Sequence, residues 1–139
     1  MRVLFIGRTE WLFETIKYIS KFDYIEVVGI ISSKESPDYK IKEVDFKNYA
    51  LKSKIKYLNS SKINASQLTK AFGENIDIGI SVNYVNIINS DVISKFKYGI
   101  LNAHGGDLPK YRGNAATAWA IINGEKKLEF AYTKWLEVN

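Results

Sequence analysis

The sequence predicts an α/β fold: a Rossmann-like, doubly wound, mostly parallel sheet with helices on both faces. Two observations support this prediction. Short apolar segments rich in β-branched residues alternate with amphipathic segments from end to end of the chain. The apolar segments 2–6 and 24–32 are also hydrophobic at successive positions, which is typical of strands buried on both faces of a sheet.

The individual elements follow from local pattern and from capping residues. The predicted strands span 2–6, 24–32, 56–58, 76–82, 98–101 and 129–136. The predicted helices span 10–21 behind Thr9, 44–54, a segment behind Asn64 or Ser66 that ends at 72, 91–96 behind Ser90, and 114–123 closed by Gly124. No linker or internal repeat interrupts this order, so residues 1–139 are predicted to form one domain.

The composition is that of an ordinary globular domain and excludes several kinds of chemistry. Of 139 residues, 46% are hydrophobic and 25% charged. Cysteine is absent and His104 is the only histidine, which excludes disulfides, thiolate metal sites, a cysteine nucleophile and a multi-histidine metal site within one chain. We therefore predict no metal.

The net charge of +5 comes from scattered lysines without a run of five. This pattern favours a solvated face over nucleic-acid binding, and a phosphate-bearing small ligand would also suit such a field. No apolar run reaches the length of a secretion signal or of the ~20 residues of a membrane span. The sequence therefore predicts a cytoplasmic chain with a small-molecule partner, and neither a nucleic-acid nor a membrane partner.

Ligands of parallel sheets bind outside the carboxyl ends of the strands, so the loops after the strands are the places for chemistry. The first loop has one glycine, Gly7, and lacks the G-x-G-x-x-G pattern of dinucleotide sites as well as a P-loop. A tight strand-to-helix turn is the favoured interpretation of Gly7. The helix that follows remains able to hold some other anion.

The segment 101–113 carries the strongest chemical signal. Asn102 and His104 are two residues apart, so at the end of an extended strand they project in the same direction, an amide beside an imidazole. The glycines that follow permit backbone conformations closed to other residues, and Pro109 constrains the loop. The pair is followed by two glycines, two cationic side chains and one aromatic ring: Gly105, Gly106, Lys110, Arg112 and Tyr111.

The segments 102–113 and 119–124, which read NAHGGDLPKYRG and WAIING, resemble the formyltransferase family that uses 10-formyltetrahydrofolate. The match is specific over 76–125, and before that the pattern is a general α/β one. The HGGDLPKYRG stretch is most similar to the enzymes that formylate the amine of a nucleotide-linked amino sugar. The resemblance thus implies an N-formyltransferase catalytic domain with 10-formyltetrahydrofolate as cofactor.

The resemblance also implies roles for individual residues. Asn102 would hydrogen-bond the formyl oxygen and stabilise the oxyanion, and His104 would assist in charge stabilisation and proton transfer. The segment 81–88 would line the folate pocket, and the substrate would meet the glycine loop. The residues assigned to the cofactor are Ser81, Asn83, Tyr84, Val85 and Ile87, and those assigned to the substrate are Gly105, Gly106, Lys110 and Arg112. For Tyr84 and Val85, plain core packing is an equally good interpretation.

The chain departs from the family pattern near its end. The family's catalytic aspartate follows the strand predicted at 129–136, and no acid of this sequence stands at the matching position. We therefore expect a truncated domain with little catalysis, with Phe130, Tyr132, Trp135 and Leu136 partly uncovered. The expected consequence is self-association into a homo-oligomer, marginal stability, or rescue by a bound partner or ligand. The alternatives are a methionyl-tRNA or phosphoribosylglycinamide formyltransferase-like domain, and a non-catalytic remnant that binds folate or nucleotide.

Overall fold

The computed structural model describes residues 1–113, 115–127 and 129–135. Its strands are β1 (Arg2–Gly7), β2 (Glu26–Ser32), β3 (Lys56–Asn59), β4 (Ile78–Val82), β5 (Ile100–His104) and β6 (Ala131–Trp135). Its helices are α1 (Glu10–Ile19), α2 (Glu43–Lys52), α3 (Ala65–Phe72), α4 (Ser90–Ile93) and α5 (Ala116–Ile122).

The strands form one sheet in the order β3-β2-β1-β4-β5-β6. All neighbouring pairs are parallel except β5 and β6, which are antiparallel. The chain builds outward from β1 to β3 and then returns to place β4 on the other side of β1. The strand order therefore reverses between β1 and β4, which is where open α/β sheets form a ligand crevice. The predicted fold class is confirmed.

Helices cover both faces of the sheet, and each face has its own apolar core. On one face, Leu12 and Ile16 of α1 and Phe46 of α2 pack against Val3 and Phe5 of β1. The other face packs against α3 and α4, and its core residues include Leu4, Ile6, Leu68, Phe72, Val92 and Ile100. Alternate residues of a strand point to opposite faces, so these two clusters assign a face to every position of β1, β4 and β5.

Two differences from the predicted bounds matter for function. The strand predicted at 98–101 runs instead over Ile100–His104, because β6 pairs with it through Asn102↔Thr133 and His104↔Ala131. Asn102 and His104 are thereby fixed within a strand rather than in the loop after it. The helix predicted at 91–96 is a single turn, and its N-cap residue is Asn89 rather than Ser90.

The predicted caps had mixed outcomes. Asn64 caps α3 as predicted, since its side chain accepts a hydrogen bond from the backbone N–H of Gln67 at 2.9 Å. Thr9 lies at the N-cap of α1 but makes no side-chain capping bond, because its φ of 86° takes it out of the usual capping conformation. Gly124 follows α5 with a φ of 73°, as expected for a helix end. Asn114 and Leu136, at the predicted ends of a helix and a strand, lie outside the described residues.

The last part of the chain is more exposed than the rest. Phe130 is 66% and Tyr132 72% exposed, and Trp135 is only partly buried against the α3/α4 core, so all three are partly uncovered as predicted. Within the described residues, no helix is long and apolar enough to cross a membrane.

Candidate active site

A row of polar side chains crosses three neighbouring strands at the carboxyl end of β4 and β5. Ser81 of β4 aligns with Asn102 of β5, and Asn102 aligns with Thr133 of β6. Ile80 and Val82 pack with the α1/α2 core, so Ser81 between them faces the α3/α4 side. Asn102 lies on that same side because it is two residues from Ile100, a member of the α3/α4 core. An amide therefore lies between two hydroxyl-bearing residues.

The Ser81 hydroxyl is the unusual member of this row. Its side chain is fully buried, and its Oγ has no hydrogen-bond partner among the described residues. A buried hydroxyl without a partner costs about 1–3 kcal/mol, so such a group calls for an explanation. Asn102 beside it is only half-buried. The row thus combines an orphaned hydroxyl with the amide donor of a half-buried asparagine.

His104 lies one pleat beyond Asn102, where β5 ends. Its side chain is half-buried, and its Nε2 lies 2.6 Å from the backbone carbonyl oxygen of Tyr111. That carbonyl belongs to the loop that follows β5 and folds back over the strand end. The predicted pair is therefore brought together at one end of the sheet, with the imidazole held by its own loop.

The loop between β4 and α4 contains the residues predicted to line a folate pocket, and several of them are held by structural contacts. The Asn83 side-chain amide donates to the Tyr39 hydroxyl at 2.8 Å, and the Tyr84 hydroxyl donates to the Ser60 carbonyl at 2.9 Å. Burial raises the pKa of the Tyr84 phenol, so that group remains a neutral donor. Val85 is half-buried, whereas Ile87 is 89% exposed.

Arg8 connects the carboxyl ends of several strands. Its Nε donates to the Asn83 carbonyl at 3.1 Å, its Nη1 donates to the Lys34 carbonyl at 2.9 Å, and its guanidinium lies 5.3 Å from the ring centroid of Tyr39. These contacts fix the loops after β1, β2 and β4 against one another.

The glycine loop after β5 supplies the residues predicted to meet substrate. Gly106 is buried, and Gly105 is half-buried with its carbonyl accepting a hydrogen bond from the Thr117 hydroxyl at 3.1 Å. Lys110 forms an ion pair with Glu125. Arg112 is exposed and forms no ion pair within the part of the chain that the structure describes. The peptide bond between Leu108 and Pro109 is cis.

Two residues of this region were not predicted from the sequence. Thr133 joins the polar row only because β6 runs antiparallel beside β5, and the sequence gives no direct signal for strand direction. Glu125 contacts Lys110 and the Tyr111 hydroxyl, although a helix separates it from them in sequence. The available signal was Gly124, because a glycine that ends a helix turns the next residue back over the helix end.

The fold and this site define a Rossmann-like domain with an amide–imidazole pair at the carboxyl edge of its sheet. Residues 1–131 match the family model described as "Formyl transferase". The chain therefore belongs to the formyl transferase family, as its motifs predicted.

Curated relatives include the methionyl-tRNA formyltransferase of Acetivibrio thermocellus, which is 32% identical over 130 residues. The methionyl-tRNA formyltransferase of a Sulfurihydrogenibium species is 33% identical over 132 residues. Each alignment covers 91% of this chain but only 42% of the relative. The chain thus spans less than half the length of these relatives.

Solved structures share the fold at lower identity. Glycinamide ribonucleotide transformylase 1 from Geobacillus kaustophilus superposes with a TM-score of 0.74 at 15% identity, over 99% of this chain and 76% of that one. The sugar 3N-formyl transferase WlaRD, solved in the presence of dTDP and 5-N-formyl-THF, superposes with a TM-score of 0.69 at 23% identity, over 99% and 47% of the two chains. These likenesses establish the architecture.

Proposed function

We propose that this chain is the formyl-donor-binding part of an N-formyltransferase that uses 10-formyltetrahydrofolate. The observation that carries the proposal is the row in which Asn102 lies between Ser81, with its buried and unpartnered hydroxyl, and Thr133. By displacing the side chains that now cover Ser81, a bound donor with a polar carbonyl and ring edge would satisfy that hydroxyl and meet the Asn102 amide. The residues present therefore fit such a group.

The bound donor would supply the formyl group. The Asn102 side-chain N–H would donate to the formyl oxygen and stabilise the negative charge that develops there when an amine attacks the formyl carbon. His104 would accept the proton that the attacking amine gives up and return it to the donor nitrogen, as the bond between that nitrogen and the formyl carbon breaks and tetrahydrofolate leaves. Val85 would contribute apolar wall, and the hydrogen-bonded Asn83 and Tyr84 would hold the shape of that wall.

We further propose that the acceptor is a nucleotide-linked amino sugar. The HGGDLPKYRG stretch supports this class, and so does Arg112, an exposed guanidinium beside the site that matches the geometry of a phosphate. Lys110 is less available to phosphate because Glu125 pairs with it.

A second acceptor class has its own support. The curated relatives at 32% and 33% identity are methionyl-tRNA formyltransferases. Initiator methionyl-tRNA is therefore the alternative acceptor, and the two acceptors can be told apart by binding.

Calorimetric titration of the 139-residue chain with 5-formyltetrahydrofolate, a stable analogue of the donor, tests the proposal. Saturable binding is expected, weakened about 5- to 10-fold by Asn102→Ala, as the loss of about one hydrogen bond predicts. Asn48→Ala, on the exposed side of α2, is the matched control and should bind as the unchanged chain does. Binding of NAD in place of the folate, or equal folate affinity in both variants, would contradict the proposal.

The acceptor is decided by a second titration of the folate-loaded chain. A nucleotide-linked amino sugar is expected to bind, with an affinity that falls on Arg112→Ala. Lys126→Ala, another exposed cation, should leave it unchanged. Binding of methionyl-tRNA but not of the sugar nucleotide would replace the first acceptor with the second.

A further inference from the structure

The conformation of the loop after β5 is stabilised mainly by polar contacts and not by a large apolar core. The Tyr111 backbone N–H donates to the Asp107 carbonyl at 2.7 Å, and the Tyr111 carbonyl lies 2.6 Å from His104 Nε2. The apolar cluster at this loop consists of Tyr111, Ala116 and Ala120. The position of the Tyr111 carbonyl therefore depends on what holds the Tyr111 side chain.

Glu125 makes the shortest polar contact with that side chain, beside a 3.5 Å hydrogen bond from the Asn123 side-chain amide and the Lys110 ammonium 5.0 Å from the ring centroid. The Tyr111 hydroxyl donates to Glu125 Oε1 at 2.7 Å, and the Lys110 ammonium donates to the same oxygen. These hydrogen bonds, first that from Lys110 and then that from Tyr111, hold the pKa of the Glu125 carboxyl below its ordinary value. The carboxylate thus remains charged and able to accept both bonds at neutral pH.

The end of α5 explains why Glu125 is in reach. Gly124 adopts a φ of 73°, its N–H donates to the Ile121 carbonyl at 3.0 Å, and the Glu125 N–H donates to the Ala120 carbonyl at 3.0 Å. This pair of bonds is a Schellman motif, which turns the chain back at the helix end. Glu125 is therefore anchored by its backbone as well as by its side chain.

The contact at His104 fixes which ring nitrogen carries the proton. A carbonyl oxygen accepts hydrogen bonds and cannot donate one, so Nε2 must be the protonated nitrogen in the bond to Tyr111. In the neutral ring, Nδ1 is then the nitrogen with a free lone pair. Within the described residues, Nδ1 has no hydrogen-bond partner, so it is the atom available to accept a proton.

Gly106 shows how closely this arrangement is packed. A Cβ at Gly106 would lie 2.8 Å from the Tyr111 carbonyl oxygen and 3.2 Å from His104 Nε2. A Cβ at Gly105 would lie no nearer than 3.4 Å to its surroundings. The hydrogen bond between loop and imidazole therefore leaves no room for a side chain at position 106.

We propose that Glu125 is a positioning residue: through Tyr111 it holds the carbonyl that keeps His104 in its Nε2–H tautomer, with Nδ1 as the proton acceptor. That Nδ1 accepts a proton during catalysis rests on the proposed function. The Nε2–H tautomer itself does not, because it follows from the hydrogen bond to the Tyr111 carbonyl. Glu125 lies outside the set of residues predicted from the sequence, because its effect passes through the loop and not through the ligand.

Nuclear magnetic resonance of the histidine ring tests the proposal directly, because the chain contains one histidine. The chain is labelled with 15N in histidine so that both ring nitrogens of His104 can be observed. We expect an Nε2–H tautomer and an Nε2 proton resonance protected from exchange. Glu125→Ala should abolish that resonance and allow the second tautomer. Glu129→Ala, a change at a nearby exposed glutamate, should leave both unchanged.

Three further variants, one of them a control, keep the test decisive if Glu125→Ala fails to fold. Tyr111→Phe removes only the hydroxyl that reaches Glu125 and should also abolish the protected resonance. Gly106→Ala should do the same, while Gly105→Ala preserves it. Retention of the resonance in folded Glu125→Ala or Tyr111→Phe protein would overturn the proposal. Absence of folate binding alongside the expected histidine spectra would instead count against the proposed function alone.

Discussion

The sheet from β1 to β4 and the segment after β5 are held together by different means. In the first region, large side chains such as Phe5, Leu4 and Ile30 are fully buried between two layers of helices. In the second, the cluster at the loop is built from Tyr111 and two alanines, and it is supplemented by hydrogen bonds and by the ion pair between Lys110 and Glu125. The comparison teaches that Ser81 and Asn102 lie on a rigid scaffold, whereas the setting of His104 depends on a few polar contacts.

The largest expected effect contrasts one phenylalanine from each region. Phe5→Ala should lower the free energy of unfolding by about 3–5 kcal/mol, because it opens a cavity in the sheet core. Phe130→Ala should change it by no more than ~0.5 kcal/mol, since that ring is largely exposed. Urea denaturation of the two variants measures the contrast. Similar losses in both would show that the two regions are held together alike.

A smaller effect is expected from Ser81→Ala in the scaffold, where folding stability and folate affinity should change in opposite directions. Ser81→Ala removes a buried hydroxyl without a partner, so the free energy of unfolding should rise by about 1 kcal/mol while folate affinity falls several-fold. Ser20→Ala is the control, because its hydroxyl already donates to the Ile16 carbonyl at 2.7 Å. That variant should lose a little stability and keep its affinity. If Ser81→Ala instead lowers the free energy of unfolding and leaves folate affinity unchanged, the hydroxyl stabilises the fold and does not bind the donor.

The smallest effect is a pH dependence of the second region. The pKa of the Glu125 carboxyl lies below its ordinary value in the folded chain, so its contribution to stability is present above that ordinary value and is lost as pH falls through the lowered one. The melting temperature of Glu125→Gln should therefore lie below that of the unchanged chain at pH ~7, and the gap should close below about pH 4. Glu129→Gln should show no gap. A gap that widens in acid would contradict the assignment.

The sequence predicts the scaffold well because strands that are buried on both faces are apolar at successive positions, and such runs are visible in the sequence. The pair Asn102 and His104 was likewise found from its i, i+2 spacing, which depends only on strand geometry. Thr133 and Glu125 were missed because their positions depend on strand direction and on a helix-end turn. Ile87, predicted to form part of the folate wall, is largely exposed, since local apolarity does not determine which side of a loop faces solvent.

The central claim is that the carboxyl edge of β4 and β5 binds the formyl donor beside Asn102 and His104. The most direct measurement follows the ring resonances of His104 while 5-formyltetrahydrofolate is added to the 139-residue chain. We expect a saturable shift whose midpoint moves about 5- to 10-fold higher in Asn102→Ala. Unmoved His104 resonances, with shifts instead at Lys95 and Lys97, which line a cavity beside the amino-terminal end of β4, would contradict the claim.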